Sequence, residues 1–202
     1  MRRIHINDSH FITETVRVLE LDGVIVLPTD TLYGLSALAS SEVAYRRILD
    51  YKGYRAPRPF ICLFDTVETA GRMVASWGCG SEKELGSIWP GPLTGIFPVD
   101  ESSPAWCEES IAVRVPDVHI VRDLIATLGE PIISTSVNDV GEAPLPDVDA
   151  IAERVKGKVD LLVEGDCGNR LPSTIVDFTG TRPHVVRQGA YAFTTSRGNP
   201  SN

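Results

Sequence analysis

Three cations stand within nine residues of each other. Lys52, Arg55 and Arg58 lie in the stretch YKGYRAPRP, whose prolines and glycine exclude a helix or strand interior. Between Val43 and Pro59 there are five basic residues (Arg46, Arg47, Lys52, Arg55, Arg58) and one acidic residue, Asp50. That local excess of cations sits in a chain of formal net charge −8. Long cations on a stiffened loop either point into water or meet an anion, and both readings are open from this stretch alone.

Other polar segments each follow an apolar run. PTDTLYGLSA, Pro28 to Ala37, supplies the hydroxyls of Thr29 and Thr31, the ring of Tyr33 and close backbone approach at Gly34. Its alternative is a turn in which Asp30 and the threonines bond their own backbone. STSVNDVGEAP, Ser134 to Pro144, offers three hydroxyls and an amide as donors to phosphate or carboxylate oxygens, or else a helix cap with an Asx turn. WPGPLTG, Trp89 to Gly95, reads first as a rigid turn. Arg114 in IAVRVP, Ser173 in PSTIVD and Arg187 in VVRQG are polar residues within apolar runs. An arginine flanked by valines must snorkel, pair or face a polar cavity, and two such arginines suggest an anion-binding cleft.

Other chemistries lack their signatures. No G-x-x-x-x-G-K-[ST], G-x-S-x-G, H-E-x-x-H or post-strand G-x-G-x-x-G occurs. His5, His10, His119 and His184 sit apart and read as structural or solvated. Cys62, Cys79, Cys107 and Cys167 are scattered without a zinc-ligand spacing, so reduced and mostly buried thiols are expected and a metal site is not. Glu164 to Asp166 reads as an exposed turn. A site rich in hydroxyls and cations, without an evident nucleophile, suits nucleotide or phosphate-ester chemistry run by positioning and electrostatics.

The elements that must position these residues alternate. A helix is expected through HFITETVRVLELDG, ending at Gly23, followed by the buried strand VIVLP. Ser40 or Ser41 caps a helix through EVAYRRILDY, and the strand FICLF and a helix from Thr66 to Ala75 follow the basic loop. LTGIFPV and IAVRV read as strands, IVRDLIATLG as a helix, PIIST as a strand, DVDAIAERVKG as a helix and VDLLVEG as a strand. STIVDF and HVVRQG form a hairpin pair. Strands alternating with helices imply an α/β domain, and the late hairpin implies a mixed sheet. The 202 residues, 43% hydrophobic, suit one domain over 1–192, with residues 193–202 as a disordered tail. No apolar run approaches the roughly 18–20 residues of a membrane helix, and the N-terminus lacks the apolar stretch of a signal peptide. A cytoplasmic protein is expected. A pI near 5.0 argues against broad nucleic-acid binding without excluding a local positive cavity.

Taken in order, these segments resemble the YrdC-like family of threonylcarbamoyl-AMP synthases. PTDTLYGL, WPGPLT and IAVRVP are similar to its signatures, TSVNDVGE to its T-S-A-N-x-S-G-E stretch, and STIVD with VVRQGA to its closing segments. The resemblance spans about Gly23 to Ala190. It implies a twisted, mixed α/β sheet flanked by helices, with a concave basic cleft. It also implies condensation of L-threonine, bicarbonate and ATP into threonylcarbamoyl-AMP with release of pyrophosphate. A downstream threonylcarbamoyl-transferase complex then modifies an adenosine of tRNA. On this resemblance Thr31, Tyr33, Arg114, Thr135 and Ser173 hold threonine and its carboxylated amine. Lys52, Arg55, Ser136, Asn138 and Arg187 hold ATP, with Mg²⁺ on the triphosphate, and Lys52 and Arg55 act in catalysis. Tyr54 occupies the place of the family's arginine, with Arg55 one step later. Leu63 and Pro144 stand where some members have a histidine and a serine. PIISTS and VDLLVEGD are similar to the YciO branch, which implies the alternative of a nucleotide- or double-stranded-RNA-binding protein without synthase turnover. Carbamoyl transfer, as in the related hydrogenase-maturation domain, is a weaker alternative because that protein's accessory domains are missing.

Overall fold

Residues 24–27 are Val-Ile-Val-Leu, and every one of them is buried. A strand that alternates its side chains between two faces can bury all of them only if both faces are covered. In the computed structural model, which describes residues 1–101, 103–138, 142, 145, 147–168 and 171–194, this is what happens. Ile25 and Leu27 pack with Phe11, Leu19, Leu124 and Ile125 on one face, while Val26 joins Leu35, Phe60, Ile133 and Leu162 on the other.

The strands are β1 (Arg2–His5), β2 (Ile25–Leu27), β3 (Gly34–Leu38), β4 (Ile61–Leu63), β5 (Leu93–Pro98), β6 (Ser110–Arg114), β7 (Ile132–Ser136), β8 (Leu161–Glu164), β9 (Thr174–Asp177) and β10 (His184–Arg187). Among the described residues they form one sheet in the order β1-β8-β2-β3-β7-β4-β6-β5-β9-β10. It is mixed: β1–β8, β2–β8, β4–β6 and β5–β9 are parallel, and β2–β3, β3–β7, β4–β7, β5–β6 and β9–β10 are antiparallel. The expected closing hairpin is the β9–β10 pair, with a register shift before Arg187.

The helices are α1 (Phe11–Leu19), α2 (Glu42–Tyr51), α3 (Val67–Gly71), α4 (Glu82–Gly86), α5 (His119–Leu128) and α6 (Val148–Val155). Of the two serines that could cap α2, Ser41 does so, its Oγ accepting from the Ala44 N–H at 3.0 Å. Gly129 ends α5 in the left-handed conformation at φ 72°, where an L side chain is strained.

Several expectations are corrected. The helix expected over 66–75 stops at Gly71, because Val74 leaves it to bridge Val99. The segment from Gly34, for which no strand is expected, is strand β3, buried throughout. Glu164 to Gly165 is not an idle exposed turn: Glu164 ends β8 and pairs with Arg3, and Gly165 is bonded to the Tyr33 hydroxyl. All four cysteines are free, but of them only Cys62 is buried and the others are half-buried. The expected tail falls largely on residues 195–202, outside the described residues, as do Gly141 and Pro144. Among the described residues no helix is long and apolar enough to cross a membrane.

Two measurements test this packing. Phe11 is fully enclosed between α1, α5 and the sheet, so Phe11→Ala lowers unfolding stability by about 3–5 kcal/mol in urea titration. Burial pushes the Cys107 thiol up to about 12 and raises Cys62 well above its usual range. In the unfolded chain these thiols ionise near their ordinary value, so above it the folded state binds more protons and stability falls as pH rises toward about 12. The urea midpoint therefore drops through this alkaline window, and drops less in a Cys62→Ala/Cys107→Ala variant.

Candidate functional site

The polar segments meet where several strands end. Chain leaving β2 runs through Pro28–Tyr33 into β3. β6 ends at Arg114, β7 at Ser136 and β10 at Arg187, while β9 begins just after Ser173. A cavity of about 150 Å³ lies across these ends, and Thr31, Tyr33, Arg114, Thr135, Ser136, Ser173 and Arg187 all line it. Strand ends at a reversal of sheet order are where open α/β sheets bind ligands.

Five of these seven lining groups are held by hydrogen bonds. Thr29 Oγ1 bonds the Leu32 carbonyl at 2.8 Å and shares a bond of 3.0 Å with Thr31 Oγ1. Thr31 Oγ1 accepts from Arg114 Nη1 at 2.9 Å. Arg114 also donates Nε–H to the Gly91 carbonyl at 3.2 Å and Nη2–H to Asp30 Oδ1, with which it forms a buried ion pair. Burial pulls the Arg114 guanidinium below its usual range; Asp30 pushes it back up and Arg187 lowers it further. Ser173 and Thr94 share a buried hydroxyl bond of 2.8 Å. Arg187 donates from Nε and Nη2 to the Ser173 carbonyl, at 3.2 and 2.9 Å, across the β9–β10 hairpin. Tyr33 donates its hydroxyl to the Gly165 carbonyl and accepts from the Gly165 N–H at 3.1 Å, and burial raises its pKa.

Two of the residues expected at the site stand beside it. Lys52, just past the end of α2, donates Nζ–H to the carbonyls of Ser136 (3.0 Å) and Asn138. Burial, then the nearby Arg154, lowers its pKa. Asn138 lines a neighbouring cavity of about 360 Å³ that shares Leu32 and Tyr33 with the first. Arg55 is not brought to either cavity. It is exposed and forms no hydrogen bond or ion pair among the described residues. Tyr54 packs on the core and carries the Arg58 guanidinium 5.5 Å from its ring centre.

Sequence reasoning left three groups out. Asp30 reads as a turn residue, yet its carboxylate pairs with Arg114, 84 positions away. Gly91 reads as part of a structural turn, yet its carbonyl anchors the same guanidinium. Thr94 reads as a strand start and is the partner of Ser173. Only the two valines flanking Arg114, which signal a buried cation in need of an anion, hinted at Asp30.

The family model described as "Telomere recombination", the Sua5/YciO/YrdC family, matches residues 17–189. The chain belongs to this family. A Sua5/YciO/YrdC relative, the threonylcarbamoyl-AMP synthase of Enterobacter sp. (strain 638), is 32% identical over 185 residues, covering 88% of this chain and 95% of the relative. Among solved structures, E. coli YciO superimposes with a TM-score of 0.85 at 26% identity, covering 96% of this chain and 97% of that one. P. abyssi Sua5 complexed with L-threonine superimposes with a TM-score of 0.81 at 28% identity, covering 93% of this chain but 56% of that one.

At the wall of the small cavity, a Cβ at Gly34 would lie 2.2 Å from Ser134 Oγ and 3.6 Å from Ser134 Cβ. Gly34→Ala therefore costs about 1–3 kcal/mol by overpacking, read in urea titration. In a Ser134→Ala background the offending oxygen is gone, and the added cost of Gly34→Ala falls below about 1 kcal/mol, a coupling that a double-mutant cycle reads directly.

Proposed function

We propose that the chain is a threonylcarbamoyl-AMP synthase, an ATP-dependent nucleotidyltransferase acting in tRNA modification in the cytoplasm. The observation that carries this reading is the convergence of Thr31, Tyr33, Arg114, Thr135, Ser173 and Arg187 on one small cavity at the strand ends. It is supported by relatives named threonylcarbamoyl-AMP synthase. L-threonine occupies the small cavity, with its carboxylate toward Arg114. Its amine attacks the carbon of bicarbonate; a C–N bond forms, a C–O bond breaks, and water leaves to give the carbamate. A carbamate oxygen then attacks the α-phosphorus of ATP; one O–P bond forms, the bond to the β-phosphate oxygen breaks, and pyrophosphate leaves.

Both reactants of the second step are anions, so the barrier is in part charge repulsion. Cations preorganised at the developing charge lower it without a protein nucleophile. Arg187, Lys52, Ser136 and Asn138 serve the phosphates in this reading, with Arg55 brought in by rearrangement of its loop. Among the described residues no group of three His, Cys, Asp or Glu side chains could hold a metal ion. Mg²⁺ enters with ATP as part of the substrate in this reading, and no protein site is assigned to it. The product passes to a threonylcarbamoyl-transferase complex acting on tRNA.

Pure protein releases pyrophosphate only when ATP, threonine and bicarbonate are all present; release independent of threonine overturns the reading. Lys52→Ala lowers the rate at least ~100-fold, the scale of losing one preorganised electrostatic group. A second reading, a YciO-like nucleotide- or double-stranded-RNA-binding protein without turnover, is favoured by the exposed position of Arg55. Salt-sensitive RNA binding with no pyrophosphate release from the intact protein is its signature.

A further inference from the structure

Arg114 is 4% exposed, and its guanidinium carries five N–H donors. Three of them are spent inside the protein, on Gly91, Thr31 and Asp30. The orientation of that plane therefore decides where the remaining donors of a cavity-lining arginine point. Gly91 and Thr31 are neutral acceptors; Asp30 is the anion.

Asp30 is itself fixed from outside the cavity. Gly168 N–H bonds the Thr29 carbonyl at 3.2 Å, and Gly168 packs so closely that a Cβ there would lie 2.3 Å from the Asp30 carbonyl oxygen. Tyr33, three residues on, is bonded to Gly165 of the same segment. The stretch after β8 thus straps down the chain that carries Asp30. The carboxylate also keeps one oxygen, Oδ2, buried with no hydrogen-bond partner among the described residues. A half-satisfied buried ion pair is poor value as a source of stability. Its retention fits a role in orientation.

We infer that Asp30 is a positioning residue for the amino-acid substrate: through Arg114 it sets the face of the small cavity that receives the substrate carboxylate. The inference rests on reading that cavity as the threonine site. Asp30 does not line the cavity and is not assigned contact with substrate. Asp30 offsets much of the charge of Arg114, so what the guanidinium offers a carboxylate is chiefly its oriented donors.

The test separates threonine from ATP. Calorimetric titrations of the full chain with L-threonine and with ATP are run on wild type, Asp30→Asn and Asp30→Glu, alongside melting temperatures. Loss of the carboxylate frees the Arg114 plane, and losing the partner that orients a binding group costs about 10–100-fold in affinity. The expectation is that the threonine dissociation constant rises by about that factor in Asp30→Asn, with ATP affinity within about 2-fold of wild type. Asp30→Glu keeps the charge, moves it by one methylene, and serves if the Asn variant does not fold. In it threonine affinity falls about 10-fold, again without a matching change for ATP, since displacement alone misaligns the donors. Wild-type threonine affinity in either folded variant, or an equal loss for both ligands, overturns the inference. If wild type binds ATP but no threonine, the reading of the cavity fails first, and the inference falls with it.

Discussion

A guanidinium taken almost wholly out of water must be answered by acceptors on every side that water has left. In this chain that demand falls on Arg114, and much of the site follows from meeting it. The anion comes from Asp30, in the turn after β2; one acceptor comes from Thr31, and another from the Gly91 carbonyl in the turn before β5. Three segments distant in sequence are thereby held at one strand end. Moving the Gly91 turn would leave a buried donor unmet, and moving Asp30 would leave a buried charge unpaired, which is far costlier than never having buried the pair.

Sheet topology makes that meeting possible. β6, which carries Arg114, pairs parallel with β4 and antiparallel with β5, and β7 lies on the other side of β4. Chain ends from both directions therefore gather at one edge of the layer. A wholly parallel sheet would collect only carboxyl ends there. Here the starts of β3 and β9 arrive beside the ends of β6, β7 and β10, bringing Tyr33 and Ser173 next to Arg114, Ser136 and Arg187. The mixed sheet is thus a condition of the site.

How much of this was legible in the sequence depended on whether a signal was local. Buried strands with all-apolar runs, such as Val24–Leu27, and helices with a serine before them and a glycine after them declare themselves within a dozen residues. β1 does not: Arg2–His5 is four residues long, three of them exposed, and exists because β8 offers it a parallel partner. α4 is five residues and depends on the Ser81 cap. β3 was hidden by its own chemistry, because Gly34 and Ser36 look like loop residues until Ser134 is found opposite them. The cavity-lining hydroxyls and arginines were legible by type. Asp30 was not, since its partner lies 84 positions away and its local spacing suits an ordinary turn.

The basic loop shows the same limit from the other side. Counting charges between Val43 and Pro59 treats five cations as one resource, but the structure divides them. Arg46 pairs with Glu42 one turn away, and Arg47 with Asp160. Arg58 lies over the Tyr54 ring, and Lys52 turns inward to the carbonyls after β7. Arg55 is left facing water. A lysine bound to two backbone carbonyls, one of them that of the cavity-lining Ser136, is preorganised, so its charge is already at the rim of the site before any phosphate arrives. An exposed arginine on a loop pays its ordering entropy only on binding. Lys52 and Arg55 therefore differ in what a ligand must supply. The first needs an exchange of acceptors, and the second needs the loop itself to move.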